Sequence, residues 1–335
     1  MALRIAIYGY DTDIGKLIIE VLNERNFPIA DFFPLSPLAG EFDAVTVQGR
    51  NFMISPVDEF DFARADIAFF ITTSDETLRL APKARAAGCV VIDNSRTYAG
   101  SKEIPAILPE LNPYLIKDAI TAKAVVPVSS VTTELALPLA ALHDEFGLQG
   151  FNAVVLESVS EHGRAGAETL ARETALLLNG MPTEDSSFPA QLAFNLHTRI
   201  GDLQENGSSV HEATALQELT ALLGDLKRGM SLTCLQVPVF YGHTASIHCE
   251  LEEDVSLDEV QECFKQQEYL SLSEPQELLT PVTHGVRDNK IYITRLRQSG
   301  KRSFDFVCIM DNTRRGEALN CVQIAELINA QAQKN

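Results

Sequence analysis

The first residues whose types and spacing could bind a ligand form a glycine turn near the start of the chain, Gly9-Tyr10-Asp11-Thr12-Asp13-Ile14-Gly15. A turn of this kind between a strand and a helix lets the backbone approach a pyrophosphate, which then lies at the helix N-terminus. Here two carboxylates, Asp11 and Asp13, stand inside the turn. They would repel a phosphate, but they would also stabilise the helix through its dipole. The turn therefore predicts either a dinucleotide site or a structural helix cap.

The elements around this turn predict an α/β fold. Apolar runs of strand length lie at Leu3–Tyr8, Asp66–Thr72, Cys89–Ile92 and Ala122–Val126, and helical patterns lie between them at Ile14–Leu22 and Glu76–Ala87. Short buried strands that alternate with helices are typical of βαβ units and a parallel sheet. The first third of the chain should therefore fold around such a sheet.

After about Leu148 the pattern changes. Strand candidates lie at Ala153–Ser158, Ser231–Val239, Ala245–Glu252, Lys290–Leu296 and Ser303–Met310, and helix candidates at Ala165–Leu178, Val210–Leu226, Leu257–Gln266 and Gly316–Ala330. Several strands with few helices between them predict an antiparallel or mixed sheet, and hence a second domain of α+β type. The last helix is amphipathic and could pack on the first domain.

Charge and composition exclude several classes of partner. The 335 residues include 27 Lys and Arg against 46 Asp and Glu, a formal net charge of −19. Such acidity argues against nucleic acid or an anionic membrane as partner, and any anionic ligand would need a local basic patch. No apolar run reaches the ~18 residues of a membrane span. The N-terminus is read as a first strand and not as a signal peptide.

Cysteines and histidines give no sign of a metal site. The six cysteines lie far apart without a CxxC pair, which indicates buried free thiols and a cytoplasmic protein. His143, His197, His211, His248 and His284 have no ligand-like spacing, whereas His162 could line a pocket. No metal is therefore predicted.

Longer segments resemble the aspartate-semialdehyde dehydrogenase family along the whole chain. After the glycine turn these segments are VIDNS at Val91–Ser95, LPELN at Leu108–Asn112, VPVSSVTTEL at Val126–Leu135, the segment Ser160–Gly163, PVFYGH at Pro238–His243 and DNTRRGEALNCVQIAE at Asp311–Glu326. The closest resemblance is to the Usg-type paralogues, which also have a serine in the nucleophile segment. Members of the family interconvert aspartyl phosphate and aspartate semialdehyde with NADP, through a cysteine thioester.

The resemblance implies a fold and a set of site residues. A Rossmann-like NAD(P) domain would comprise residues 1–129 and 316–335, and a second α+β domain for dimerisation and catalysis would comprise residues 130–315. The cofactor positions would be Gly9, Thr12, Asp13, Ile14, Gly15 and Asn312. The catalytic positions would be Ser130 in place of the cysteine, Glu157 in place of a glutamine, Gln236 in place of the substrate-binding arginine, and the retained His243. Two further arginine positions fall on Ala99, close to Arg96, and near Pro37.

These substitutions predict lost or severely impaired dehydrogenase chemistry. A thiol can ionise near neutral pH, whereas Ser130 would need His243 as a base and would form an oxygen ester. Gln236 cannot bind a carboxylate through two parallel hydrogen bonds as arginine does. Glu157 adds negative charge where an anionic substrate should bind. NADP is implied by the family, but the carboxylates of the turn oppose it.

Other interpretations stay open. Residual NADP-dependent dehydrogenase activity in amino-acid biosynthesis, or acyl transfer or hydrolysis by Ser130 and His243, would make the chain an enzyme. A pseudoenzyme would instead pair with a second copy or a related chain, or bind a small anionic metabolite. Ser130 and Thr132 could simply cap a helix at Glu134–Leu142, and His243 could be a packed remnant. Arg314 and Arg315 could contact a phosphate or form surface salt bridges.

Overall fold

A computed structural model of the chain describes residues 1–37, 43–183 and 186–334. Contacts divide the chain into two units: Met1–Val128 with Glu317–Asn335, and Ser129–Gly316. The limits predicted from the resemblance, 129/130 and 315/316, lie one residue from these.

A parallel sheet forms the centre of the first unit. Its strands are β1 (Leu3–Tyr8), β2 (Ile29–Ser36), β5 (Ser55–Pro56), β6 (Ile67–Phe70), β7 (Val90–Asp93), β8 (Ala106–Ile107) and β9 (Ala124–Pro127), whereas β3 (Ala44–Val47) and β4 (Arg50–Met53) form a separate hairpin. Within the described residues the order is β5-β2-β1-β6-β7-β9-β8, and each adjacent pair is parallel. The predicted parallel sheet is therefore confirmed.

Helices cover both faces of this sheet. They are α1 (Asp13–Glu24), α2 (Ser74–Ala86), α3 (Ile116–Ala122) and α9 (Leu319–Ala332). Ile5 and Ile7 pack in one core with residues of α1, α3 and α9, whereas Ala6 and Tyr8 pack in another with residues of α2. This alternation follows from the two-residue period of a strand, which sends successive side chains to opposite faces. The predicted C-terminal helix therefore packs within the first unit.

A mixed sheet forms the centre of the second unit. Its strands are β10 (Leu148–Glu157), β11 (Gly229–Gln236), β12 (His243–Leu251), β13 (Leu270–Leu272), β14 (Ile291–Gly300) and β15 (Ser303–Met310), in the order β11-β10-β12-β15-β14-β13. The pairs β10/β11 and β13/β14 are parallel, and the remaining adjacent pairs are antiparallel. The helices are α4 (Ser130–Phe146), α5 (Gly163–Leu178), α6 (Val210–Leu223), α7 (Leu257–Lys265) and α8 (Pro281–His284).

Several predicted boundaries differ from those in the structure. Helix α4 begins at Ser130, four residues before the predicted Glu134, because Ser129 caps it. The predicted helix from Gly316 begins at Leu319 and follows a π-helical segment, Arg314–Ala318. Strand β11 ends at Gln236, three residues before the predicted end.

No helix within the described parts of the chain has the length and apolar character that crossing a membrane requires.

Candidate active site

Three neighbouring strands of the second unit bring predicted site residues to one edge of the sheet. Gln236 and Glu157 are the last residues of the parallel strands β11 and β10, and they stand opposite each other. His243 is the first residue of β12, which is antiparallel to β10, and Leu156 pairs with Thr244. Glu157 and His243 are therefore the next residues in register. All three side chains are buried.

Ser130 is the first residue of α4, and its environment is also closed. The helix cap is the preceding residue, because the Ser129 side chain accepts a hydrogen bond from the Thr132 backbone N–H at 3.1 Å. The prediction that Ser130 or Thr132 caps the helix is therefore wrong. Ser130 is 1% exposed, and its Oγ donates a hydrogen bond to Glu161 Oε2 at 3.0 Å.

A buried carboxylate occupies the N-terminal end of α4. Glu218 Oε2, on α6, accepts hydrogen bonds from Ser129 N, Ser129 Oγ and Thr132 Oγ1 at 3.1, 3.1 and 2.6 Å. Negative charge is favourable at this end of a helix, and the bonds satisfy donors that lack an intrahelical partner. The donors at this helix end therefore bind a carboxylate of the protein itself. Sequence reasoning missed Glu218, because 86 to 89 residues separate it from its partners.

Backbone packs directly over Ser130. A Cβ added at Gly316, in the π-helical segment, would lie 2.8 Å from Ser130 Cβ and 3.0 Å from Ser130 Cα. Real Cβ contacts are not this short, so only glycine fits here without a shift of the backbone. Ser130 is thus enclosed by Gly316 as well as held by Glu161.

Glu161 links Ser130 to two other buried side chains. Its Oε2 accepts a second hydrogen bond from Asn312 Nδ2 at 3.3 Å and lies 3.6 Å from His243 Nε2, which is too long for a hydrogen bond. Neither ring nitrogen of His243 has a hydrogen-bond partner within the described residues, although the side chain is fully buried. Leaving such an atom unsatisfied costs about 1–3 kcal/mol. Glu161 was missed as a site residue, although it lies within the segment Ser160–Gly163.

Asn312, predicted to contact the cofactor, lies in the second unit and is fully buried. Its Oδ1 accepts hydrogen bonds from Ser158 Oγ, Ser160 Oγ and Gly242 N at 3.2, 2.9 and 3.2 Å. Together with the bond to Glu161, these contacts use both ends of its amide. Asn312 therefore fixes the loop around Glu161.

Glu157 has a counter-charge that sequence reasoning missed. His211 Nε2, on α6, lies 2.8 Å from Glu157 Oε1. Burial alone would raise the pKa of Glu157, but the hydrogen bond and charge of His211 outweigh burial and lower it. The negative charge expected at Glu157 therefore lies against the imidazole of His211. Glu134, on α4, is also fully buried, and burial together with the charge of Glu157 raises its pKa well above the usual range.

Gln236 is held at both ends of its amide. Its Nε2 donates to the Glu157 backbone carbonyl at 2.7 Å, and its Oε1 lies 2.8 Å from His162 Nε2. The exposed ring of His162 packs edge-on against Phe188, with centroids 5.0 Å apart. The Gln236 side chain is therefore a structural link between β10 and the loop before α5.

Two groups of side chains have the composition of metal ligands. Among the described residues, one group comprises Glu157, His211 and Cys234, and the other Glu157, Glu161 and His243; in each, the candidate ligand atoms lie within 4.8 Å of one another. The expectation that no metal binds rested on spacing along the chain. The histidine of each group is more than 50 residues from Glu157, so spacing along the chain could not reveal either group.

The thiols of the chain are buried. All six cysteines are free and buried, as predicted: Cys89, Cys234, Cys249, Cys263, Cys308 and Cys321. Burial raises the pKa of Cys89 and Cys249 to about 12 and that of Cys263 to about 11. Burial also raises the pKa values of the other three. A reactive cysteine needs the opposite environment, partly exposed and electropositive.

The glycine turn of the first unit is tightly packed. Gly9 has a φ of +90°, and a Cβ there would lie 2.0 Å from the Ile71 carbonyl oxygen; a Cβ at Gly15 would lie 2.1 Å from the Gly9 oxygen. Thr12 caps α1 by accepting a hydrogen bond from the Gly15 N–H at 3.0 Å. A hydroxyl therefore provides the cap, while Asp13 and Ile14 form the first turn of α1.

The arginine positions vary in exposure. Arg314 and Arg315 are 5% and 0% exposed, so the expectation of surface salt bridges is wrong. Arg314 Nε donates to Asn289 Oδ1 at 2.9 Å. In the first unit, Arg96 Nη1 donates to the Pro127 carbonyl at 2.9 Å. Pro37 is exposed, and the residues that follow it, 38–42, lie outside the described chain.

Comparison with known proteins identifies both units. Residues 4–119 match the semialdehyde dehydrogenase NAD-binding domain, and residues 139–315 match the semialdehyde dehydrogenase dimerisation domain. Aspartate-semialdehyde dehydrogenase from Shewanella violacea is 33% identical over 97% of each chain, and a USG-1 protein homolog from Azotobacter vinelandii is 32% identical over 98% of each. The crystal structure of aspartate-semialdehyde dehydrogenase II from Vibrio cholerae, complexed with ASA, has a TM-score of 0.92 and 30% identity, covering 98% of this chain and 99% of that one.

The two matched domains confirm the predicted fold class, a Rossmann-like NAD-binding domain with a second, dimerisation-type domain. The resemblance stated from the sequence motifs is confirmed as well, because relatives of about one-third identity extend over nearly the whole chain. The chain therefore belongs to the semialdehyde dehydrogenase family.

Proposed function

We propose that this chain does not carry out the dehydrogenase reaction of its relatives. One observation carries the proposal: Ser130, which stands where the resemblance places the family's nucleophilic cysteine, is a buried hydroxyl that donates to a carboxylate. The family reaction begins with a thiolate, and all six cysteines of this chain are buried. An ionised serine beside Glu161 would be strongly opposed by the carboxylate charge.

The substrate positions support the same conclusion. An arginine would bind a substrate carboxylate through two parallel hydrogen bonds, whereas the Gln236 amide is neutral and already bonded to Glu157 and His162. Glu157 keeps its negative charge, because its pKa is lowered, and His211 is its partner. At these positions the chain therefore offers an anionic substrate no pair of parallel hydrogen-bond donors of the kind that arginine provides.

The cofactor would bind to the first unit, which belongs to an NAD-binding family. Gly9 and Gly15 preserve the close strand-to-helix packing of a dinucleotide fold. Asp11 and Asp13 place negative charge at the N-terminus of α1, where a pyrophosphate would lie. The proposal is that NADP binds weakly or not at all.

A second candidate function is acyl transfer or hydrolysis by Ser130. It is favoured by the proximity of Ser130, Glu161 and His243, in which Glu161 Oε2 is 3.0 Å from Ser130 Oγ and 3.6 Å from His243 Nε2. Glu161 is then the base nearest to the hydroxyl, and His243 could stabilise the negative charge. The enclosure of Ser130 by Gly316 opposes this function, because a substrate would have to displace backbone.

The dimerisation domain supports a dimer, formed either by two copies of this chain or with a related chain. Native mass spectrometry of the purified chain, alone and mixed with an active relative, separates the two arrangements. A mixed sample that contains only the two homodimer masses, with no third mass between them, would exclude the mixed form.

The assay that tests the main proposal follows phosphate-dependent NADP reduction with aspartate semialdehyde. We expect no turnover above a blank, for the native chain and for Ser130→Ala alike. Turnover that Ser130→Ala abolishes and the exposed control Ser231→Ala leaves intact would overturn the proposal. Hydrolysis of activated acyl esters, measured on the same three proteins, tests the second candidate.

A further inference from the structure

Three polar atoms remain unsatisfied at the edge of the sheet in the second unit. They are Glu157 Oε2, His243 Nδ1 and His243 Nε2, which have no hydrogen-bond partner within the described residues. Both side chains are 0% exposed. Buried polar atoms in proteins almost always have a partner, so Glu157 Oε2 and one ring nitrogen of His243 indicate that a further group binds between these two side chains.

The spacing of the surrounding atoms fits a cation. Ligand atoms of Glu157, Glu161 and His243 lie within 4.8 Å of one another, and His243 Nε2 is 3.6 Å from Glu161 Oε2. That distance is too long for a hydrogen bond. Two ligand atoms bound at ~2.1 Å to one tetrahedral metal ion are roughly 3.4 Å apart. A bridging ion therefore accounts for a separation that direct contact does not.

We propose that Glu157, Glu161 and His243 bind a divalent transition-metal ion. One imidazole nitrogen and two carboxylate oxygens suit Zn²⁺, Mn²⁺ or Fe²⁺, whereas Mg²⁺ and Ca²⁺ prefer ligand sets made of oxygen alone. The proposal does not depend on the loss of dehydrogenase chemistry, because Ser130 is not one of the ligands.

The partners of these side chains fit the surroundings of a metal site. Ser130 Oγ and Asn312 Nδ2 donate to Glu161 Oε2 at 3.0 and 3.3 Å. His211 Nε2 contacts Glu157 Oε1 at 2.8 Å, which leaves Oε2 of the same carboxylate for an ion. Such outer contacts orient ligating carboxylates and fix their charge.

The neighbouring group, Glu157 with His211 and Cys234, is the competing position for the ion. It is less suitable, because His211 and Glu157 already satisfy each other at 2.8 Å. A metal bound there would have to break that bond and ionise the buried Cys234 thiol. The two positions can be told apart experimentally, because only the neighbouring group, with Cys234, offers a sulfur ligand.

Cobalt(II) distinguishes these possibilities by its absorption spectrum. Full-length protein is treated with a chelator, dialysed and titrated with Co²⁺. We expect one equivalent to produce visible bands of a low-coordinate site, without the near-ultraviolet band of a sulfur–cobalt bond. We expect Glu161→Gln to weaken Co²⁺ binding by at least ~100-fold, since even outer partners of ligands contribute 10–100-fold. Cys234→Ser and the exposed control Glu168→Gln should bind Co²⁺ as the native chain does.

Other results would overturn the proposal. No Co²⁺ bands in the native chain would do so, as would a sulfur–cobalt band lost in Cys234→Ser, which would place the ion in the neighbouring group. Binding unchanged in both Glu161→Gln and His243→Gln would do so as well. Circular dichroism establishes whether each variant is folded. If a variant does not fold, the Co²⁺ absorption spectrum of the native chain still tests whether the site lacks a sulfur ligand. Elemental analysis of untreated protein then identifies the metal carried.

Discussion

Ser130 Oγ donates its hydrogen bond to the carboxylate oxygen Glu161 Oε2, at 3.0 Å, and not to the imidazole of His243. The carboxylate also lies beside His243 and accepts a bond from Asn312. A nucleophile at the start of α4 would thus form in a negative electrostatic environment. This relationship, more than the identity of residue 130 alone, determines what chemistry the position allows.

A cysteine placed at this position should remain largely a thiol. Ser130→Cys should alkylate slowly with iodoacetamide near neutral pH, because Glu161 raises the pKa of the thiol. Adding Glu161→Gln should accelerate alkylation by about tenfold or more, since each pKa unit changes the thiolate fraction tenfold. The native chain, whose cysteines are buried, gives the background rate. Equal rates for the single and double variants would show that Glu161 does not control position 130.

The pair Glu157 and His211 should contribute to stability as a coupled unit. Glu157→Gln and His211→Gln should each lower the free energy of unfolding by about 1–3 kcal/mol, because the first removes the partner of the partly exposed His211 and the second leaves the buried Glu157 carboxylate without its partner. The double variant should lose less free energy of unfolding than the two single variants lose together. Urea unfolding of all four proteins gives the coupling energy, and strict additivity would mean that the 2.8 Å contact contributes nothing.

Glu173, on α5, should make the second unit sensitive to acid. Its Oε2 accepts hydrogen bonds from the backbone N–H groups of Leu192 and Ala193 at 2.8 and 2.9 Å. Burial alone would raise the pKa of Glu173, but these bonds lower it. Stability from Glu173 is therefore present above its unfolded pKa of ~4.3 and is lost as pH falls through the lower folded value.

Glu173→Gln should thus lower the free energy of unfolding by about 1.5–3 kcal/mol at pH 7. The difference should shrink as pH falls through the lowered folded pKa of Glu173, below which both proteins are neutral at this position. Urea unfolding at a series of pH values measures it, with the exposed variant Glu168→Gln as control. A difference that does not vary with pH would refute the assignment.

Gly316 should tolerate no side chain. Gly316→Ala places a methyl group 2.8 Å from Ser130 Cβ, which should lower the free energy of unfolding by about 1–3 kcal/mol through overpacking. Gly300→Ala is a matched control, because its nearest contact, Ser303 Oγ, is 3.3 Å away on a side chain that can rotate. Thermal melts of both variants test the difference, and equal melting temperatures would mean that the segment shifts without loss.

The turn at Gly9–Gly15 should bind NADP poorly until its charge is removed. A ligand present at 100 times its Kd adds ~2.7 kcal/mol of stability, so binding would be evident as a higher melting temperature. We expect millimolar NADP to leave the native chain unchanged and to stabilise Asp11→Asn/Asp13→Asn. Glu20→Gln, farther along α1, serves as the charge control. Stabilisation of the native chain itself would remove the objection based on these carboxylates.

Regular elements with strong periodicity were predictable from the sequence. The buried parallel strands and the helices between them follow from apolar runs such as Leu3–Tyr8, and β15 lies where predicted, at Ser303–Met310. The start of α4 was not predictable in this way, because Ser130, Thr132 and Thr133 look like a polar turn. These residues are helical in the structure because they are buried by tertiary packing and because Glu218 accepts a hydrogen bond from Thr132.

The identities of the site residues came from segment resemblance, but their partners did not. His211 meets Glu157 across 54 residues of sequence, and Asn312 meets Glu161 across 151. No local pattern encodes such pairs, since strand order and helix packing bring them together. Charge balance at the site is therefore a tertiary property, and a count of substituted positions does not describe it.

The proximity of Ser130 and Gly316 also has a consequence for the way the second unit is inserted in the chain. That unit begins at Ser129 and ends at Gly316, so its two ends emerge side by side. Segments with adjacent ends are the ones that can be excised or transplanted with little disturbance of the surrounding chain. A short linker could replace the whole insert in the first unit, and the insert could be circularised or relocated as a cassette.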